Sequence, residues 1–155
     1  MSENKTNPIT APYGKVYQIA VELIKKYYPY RKCNFLYTDK LRQDMRDAGN
    51  NAAKEHKGFP IALYGQVCNV LGHWFEAEFI DLPLDEVTPL FQEVWQFHKH
   101  YLLAERTDEV WTEILAEGRR AKRHPVQMQH MYVAAIVELG RLDDEKNKAE
   151  RQQAV

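Results

Sequence analysis

The sequence predicts an all-α fold, a compact helical bundle of five to seven helices with no strand. Three observations carry this. Apolar residues recur at i, i+3 and i+4 through most of the chain, the spacing that lines one helix face. No run of four to eight residues alternates apolar with polar positions between hairpin turns. Prolines and glycines punctuate the periodic stretches where helices start and stop. At 155 residues, one domain is the natural count, and such a chain buries a core without metal or disulfide staples. The expected layout is a helical domain over 1–142, with 1–11 as a flexible flank and 143–155 as a charged tail or helix extension.

The first helix is expected from about Pro12 to Tyr28, on the stripe Val16, Tyr17, Ala20, Leu23, Ile24, Tyr27, Tyr28, with Pro29 ending it. The second begins near Thr38, a capping residue with Asp39 in the first turn, and carries Leu41, Met45, Ala48 and Ala52. Gly49-Asn50-Asn51 leaves two readings, one continuous helix or two short ones. Gly58 is a stop and Pro60 a first-turn residue for the third helix, 60–79. That helix is the most apolar and is expected at the centre of the bundle.

The fourth helix runs to about Leu103, with Pro89 in its first turn behind a Thr88 cap, because an interior proline costs ~3 kcal/mol. Thr107 followed by Asp108 and Glu109 is a strong start for the fifth helix, which is expected to bury Val110, Trp111, Ile114 and Leu115. The sixth starts at Pro125. Met128, Met131, Tyr132, Ala135, Ile136, Leu139 and Leu142 form its main stripe, while Val126, Val133 and Val137 make its other side apolar too. Helix 126–142 is therefore either deeply buried or shared with a second subunit, as a homodimer would share it.

The net charge of −1 is strongly segmented. Residues 1–57 hold eleven basic and six acidic side chains, 58–117 hold two and eleven, and 118–155 hold eight and five. This is either internal complementarity within the bundle or a two-signed surface that steers partners. The two cysteines, Cys33 and Cys68, form no CxxC motif and are read as reduced thiols of a cytoplasmic protein. No apolar run approaches the ~18 residues of a membrane span, and residues 1–10 lack an apolar signal core.

Several chemistries lack their residues. The only serine is Ser2, which argues against a serine hydrolase triad. Neither phosphate-cradling glycine motif occurs, HExxH is absent, and no Glu has a His three residues later, as di-metal helical bundles require. No cofactor, metal or catalytic residue is therefore assigned.

Four constellations remain. Gln66, Asn69, His73 and Glu76 form a polar line on the third helix, read either as acid–base or metal-binding groups or as a solvent-facing strip. Gly65 and Gly72 share a face with Cys68. A helix-interior Gly costs ~1 kcal/mol against Ala, so close approach of another helix is expected there, or of a ligand or partner chain.

Two basic runs follow. One holds Lys25, Lys26, Arg31 and Lys32 among tyrosines, and the other holds Arg119, Arg120, Lys122 and Arg123. They suit nucleic-acid backbones, but Lys and Arg also favour helix C-termini. Glu105, Asp108, Glu109, Glu113 and Glu117 make an acidic surface that docks a basic partner or is simply solvated.

The function these features suggest is a small soluble interaction protein (adaptor, inhibitor or regulatory subunit) acting through protein–protein contacts, with no membrane association. The alternatives are a nucleic-acid-associated protein using 25–32 and 119–124, and a small-molecule or metal-binding protein centred on helix 60–79.

Overall fold

The computed structural model describes residues 7–30, 35–76, 83–123 and 125–153, without the side chains of 35–38, 74–76, 126 and 127. Over these residues the chain forms an all-α bundle of six helices with no strand: α1 (Ala11–Tyr27), α2 (Phe35–Glu55), α3 (Ile61–Glu76), α4 (Leu84–Leu103), α5 (Asp108–Arg120) and α6 (Val126–Gln153). Short 3-10 turns, Tyr28–Tyr30 and Ala121–Arg123, follow α1 and α5.

Helix starts follow local chemistry. Asn7 Oδ1 accepts from the amides of Ile9 and Thr10 at 2.9 and 3.2 Å, turning the chain into α1, where Pro12 needs no amide partner. Thr107 Oγ1 accepts from the Val110 amide at 3.3 Å, and Asp108 and Glu109 sit at the positive end of α5. Gly58 turns the chain between α2 and α3 at φ +83°, a conformation that costs glycine little.

α1 packs on α2, α3 and α4, while α6 packs on α3, α4 and α5. α3 and the first half of α6, the two stretches expected to be apolar nearly all round, therefore meet inside the bundle. Val16, Tyr17, Ile24, Leu63, Leu71, Phe91, Met128, Met131 and Leu139 fill the shared core.

Three expectations change. α2 starts at Phe35, so Thr38 lies inside it rather than capping it, and the helix runs unbroken through Gly49-Asn50-Asn51. Gly49 serves packing instead. A Cβ there would stand 2.6 Å from Cε2 of Tyr64, whose ring is buried and whose hydroxyl donates to the Met45 carbonyl. α4 begins at Leu84, so Pro89 lies within it. Proline removes only the bond to the Asp85 carbonyl, and both residues are exposed, so water can take that acceptor. α6 continues through the charged segment to Gln153, exposed from Asp144 onward. The ends expected for the flank at 1–6 and for the third helix at 77–79 lie outside the described residues.

A polar network crosses the core. Glu138 of α6 is 2% exposed. It accepts from the Tyr13 hydroxyl of α1 at 2.7 Å and from Arg141 Nε and Nη2 at 2.7 and 2.6 Å. A buried carboxylate requires this kind of two-point charged partner. Burial and the Glu138 carboxylate together push the Tyr13 hydroxyl well above its ordinary range.

Beside this network lies His98 of α4, fully buried, with Nδ1 2.8 Å from the Tyr17 hydroxyl and its ring edge-on to Tyr13 and Tyr17. Among the described residues His98 Nε2 has no hydrogen-bond partner. Burial lowers its pKa from the ordinary 6.5 to about 4. Glu138 opposes the shift and Arg106 adds to it.

Two outcomes are expected. Gly49→Ala forces a Cβ into a ring that cannot retreat and should cost ~1–3 kcal/mol, read from denaturant melts. An unchanged midpoint would refute that close contact. For His98, both folded and unfolded chains are neutral above pH 6.5. Between 6.5 and about 4 the unfolded chain takes a proton that the folded chain refuses, so stability should fall by up to ~3 kcal/mol as pH drops. His98→Gln should flatten this pH dependence by about one proton, and parallel pH profiles for the two proteins would exclude His98 as its source.

Candidate binding groove and exposed faces

The candidate residues of the third helix separate in space. Asn69 and His73 open onto a groove between α2 and α3, together with Gly65, Cys68 and Gly72. Gln66 is half-buried and does not line the groove, and the Glu76 side chain is outside the described residues. The polar line is thus divided rather than assembled. Among the described residues no three of His, Cys, Asp and Glu stand together as metal ligands.

The groove encloses about 460 Å³. Arg42 and Arg46, one turn apart on α2, line one wall, and Asn69 and His73, one turn apart on α3, line the other. Met45, Tyr64 and Cys68 complete the lining. Arg46 Nη2 donates to Gln43 at 2.9 Å. Cys68 is half-buried, and burial raises its thiol pKa, which keeps it neutral at physiological pH.

The glycines do not receive a neighbouring helix. A Cβ built at Gly65 or at Gly72 meets nothing within 4 Å among the described residues. The close approach expected of them occurs at Gly49 instead. Sequence alone marks each helical glycine as costly, but it does not tell a packed glycine from one that opens onto space.

The basic runs also divide. Lys25 joins Arg120 and Arg123 at a cleft of about 860 Å³ among α1, α4 and the end of α5. Glu93 and Glu117 line the same cleft, so its wall carries both signs. Lys26 instead pairs with Asp44 at 2.7 Å, and Tyr27 donates to the same carboxylate. Those partners hold Asp44 below the usual carboxylate range. Arg31, Lys32 and His124 lie outside the described residues.

Within the acidic surface Glu105, Asp108, Glu109 and Glu113 are exposed, but Glu117 is half-buried against Tyr101. The expectation that Glu117 faces solvent with the rest is corrected. Position 117 shares a helix side with Val110, Ile114 and Ala121.

A second exposed feature runs along the seam of α5 and α6. Gly118 receives Ile136, and Gly140 meets Trp111, which sets the two helices antiparallel and close. Outside that contact Leu115 is 44%, Val133 54% and Val137 48% exposed. Leu115 therefore does not join the core as its stripe predicts. Helical spacing continues the strip to Arg119 and Lys122 at one end and to Asp108 and Asp144 at the other, all exposed.

Sequence reasoning missed Glu138, Arg42 and Arg46. Glu138 had a signal, since it sits three residues from Ala135 and four from Leu142 on an apolar face. The arginines had none, because their place in the groove wall depends on which face of α2 meets α3.

Gly65→Ala and Gly72→Ala should each stabilise the fold by ~0.5–1 kcal/mol, because the new methyl meets none of the described residues within 4 Å and helix propensity improves. Melting points should rise by a few degrees. A fall in either would show that the glycine is needed for packing. The surfaces must be read from their own chemistry, because no protein-family model, curated protein or solved structure matches this chain.

Proposed function

We propose that this protein is a small interaction protein that works through protein–protein contacts and pairs with a second copy of itself along the α5–α6 seam. The observation that carries the reading is that Leu115 of α5 and Val133 and Val137 of α6 are large apolar side chains left in water on two helices that pack against each other. Large side chains grouped this way mark contact surfaces more often than single exposed ones do.

The ends of the strip select the occupant. Arg119 and Lys122 stand at one end, Asp108 and Asp144 at the other. A two-fold axis through the middle sets the basic end of one copy over the acidic end of its partner, as a self-complementary interface requires. The half-buried free thiol of Cys68 supports a reducing, cytoplasmic setting. Nucleic-acid binding draws less support, because Glu93 and Glu117 share the cleft where Lys25 meets Arg120 and Arg123.

Light scattering on a sizing column tests the proposal. The expected mass is twice the 18.2 kDa of the chain. Val133→Glu with Val137→Glu should return the single-chain mass with unchanged helicity. Arg119→Glu with Lys122→Glu should weaken pairing, and adding Asp108→Lys and Asp144→Lys should restore it. A wild-type protein that stays monomeric across micromolar concentrations overturns the reading.

A further inference from the structure

We infer that Trp95, Tyr17 and His98 form a one-electron relay, in which a small oxidising radical takes an electron from Trp95 at the surface, Tyr17 refills Trp95, and the Tyr17 hydroxyl proton passes to Nδ1 of His98. The relay lies between α1 and α4, apart from the α5–α6 seam, and the inference stands whether or not the chain pairs with itself.

Contact is the first argument. The Tyr17 ring centroid lies 5.1 Å from that of Trp95 with the planes tilted by 33°, so the two π systems touch. Nδ1 of His98 stands 2.8 Å from the Tyr17 hydroxyl, within the reach that proton transfer needs. Trp95 and His98 are one turn apart on α4, which sets both against the same tyrosine.

Burial is the second. Tyr17 and His98 are buried, whereas Trp95 is half-buried and lines a surface groove with Lys15, Gln18 and His56. The outer ring therefore meets solutes that the inner two do not.

Proton chemistry is the third. Burial pushes the Tyr17 hydroxyl well above its ordinary range, so the phenol keeps its proton until it loses an electron. An oxidised phenol is a far stronger acid than imidazolium, and it needs a base within reach. Burial lowers the His98 pKa to about 4, so the ring is neutral at physiological pH and free to accept. Glu138 opposes that shift, and the same carboxylate steadies an imidazolium formed near it. Tyr13 has no equivalent base, because it donates to Glu138, which Arg141 already holds at two points.

Each step balances. The radical gains one electron and becomes an anion, and the oxidised Trp95 sheds its indole proton to water. One electron then moves from Tyr17 to Trp95, which regains a proton from water, while the Tyr17 proton moves to His98. A neutral tyrosine radical is left beside an imidazolium. A one-electron reductant such as ascorbate restores Tyr17, and His98 returns the proton.

Pulse radiolysis of the full chain in azide solution at neutral pH provides the test. The azide radical accepts one electron from exposed indole, and tryptophan and tyrosine radicals are told apart by their visible spectra. Tryptophan radical is expected to convert to tyrosine radical in a first-order phase whose rate is independent of protein concentration. That phase should slow by about twofold or more in heavy water, because a proton moves with the electron. Trp95→Phe and Tyr17→Phe should each remove it, and Trp111→Phe should leave it in place. His98→Gln, which keeps an acceptor but no base, should slow it by about tenfold or more. Should either of the first two variants fail to fold, the isotope effect and the response of His98→Gln decide. The inference is overturned if the phase is absent, if it survives in folded Trp95→Phe or Tyr17→Phe, if Trp111→Phe removes it, or if heavy water and His98→Gln both leave its rate unchanged.

Discussion

A carboxylate inside an apolar bundle must be answered by charge and hydrogen bonds from its own surroundings. Glu138 is answered from two directions, by Arg141 one turn further along α6 and by Tyr13 from α1. The second of these is what organises the molecule. It sets the height of α1 against α6 to within a hydrogen bond. α1 in turn carries α2 and α3, and α6 carries α5. The α2–α3 groove and the α5–α6 seam thus stand on either side of the Tyr13–Glu138 hydrogen bond, whose carboxylate is also paired with Arg141 of α6 itself. Removing one member of such a pair is generally worth ~3–5 kcal/mol, well above the net value of the pair itself.

His98 completes this arrangement at a cost. Its Nδ1 is matched by Tyr17, and the ring packs among Tyr13, Tyr17 and Trp95. A neutral imidazole with one nitrogen satisfied fits an aromatic pocket, whereas a protonated one does not. A second ion pair secures the far end of the bundle. Arg106 holds Asp143 through Nε and Nη2 and also caps the carbonyls of Tyr101 and Leu102, while Trp111 donates to the same carboxylate. The C-terminal end of α4 and the start of α5 are thereby fastened to α6.

Much of the fold was legible because helix punctuation is local chemistry. Thr107 with its two following acids, and Pro12 in the first turn of α1, needed no knowledge of neighbours. Errors arose where the deciding contact lay elsewhere. Leu115 belongs to an apolar stripe, but a stripe does not reveal how wide a face of its helix the neighbouring helix covers. Gly49 looked like a break and is a seat for Tyr64, whereas Gly65 and Gly72 looked like seats and are openings. The surplus apolar side of α6 was visible in Val133 and Val137. Which helix would flank it was not, and so the seam emerged only from the packing of Gly118 and Gly140.

The continuity of α6 has a mechanical consequence. Its first half is embedded in the core and its last ten residues stand in water, yet no glycine, proline or break separates them after Gly140. At 1.5 Å per residue the exposed part is an arm of ~15 Å. A force acting near Arg151 therefore bears on the helix as one rod, first at Asp143, where Arg106 and Trp111 hold it. Beyond that anchor, one turn further in, lies Glu138, a carboxylate buried among the described residues and held by Tyr13 and Arg141.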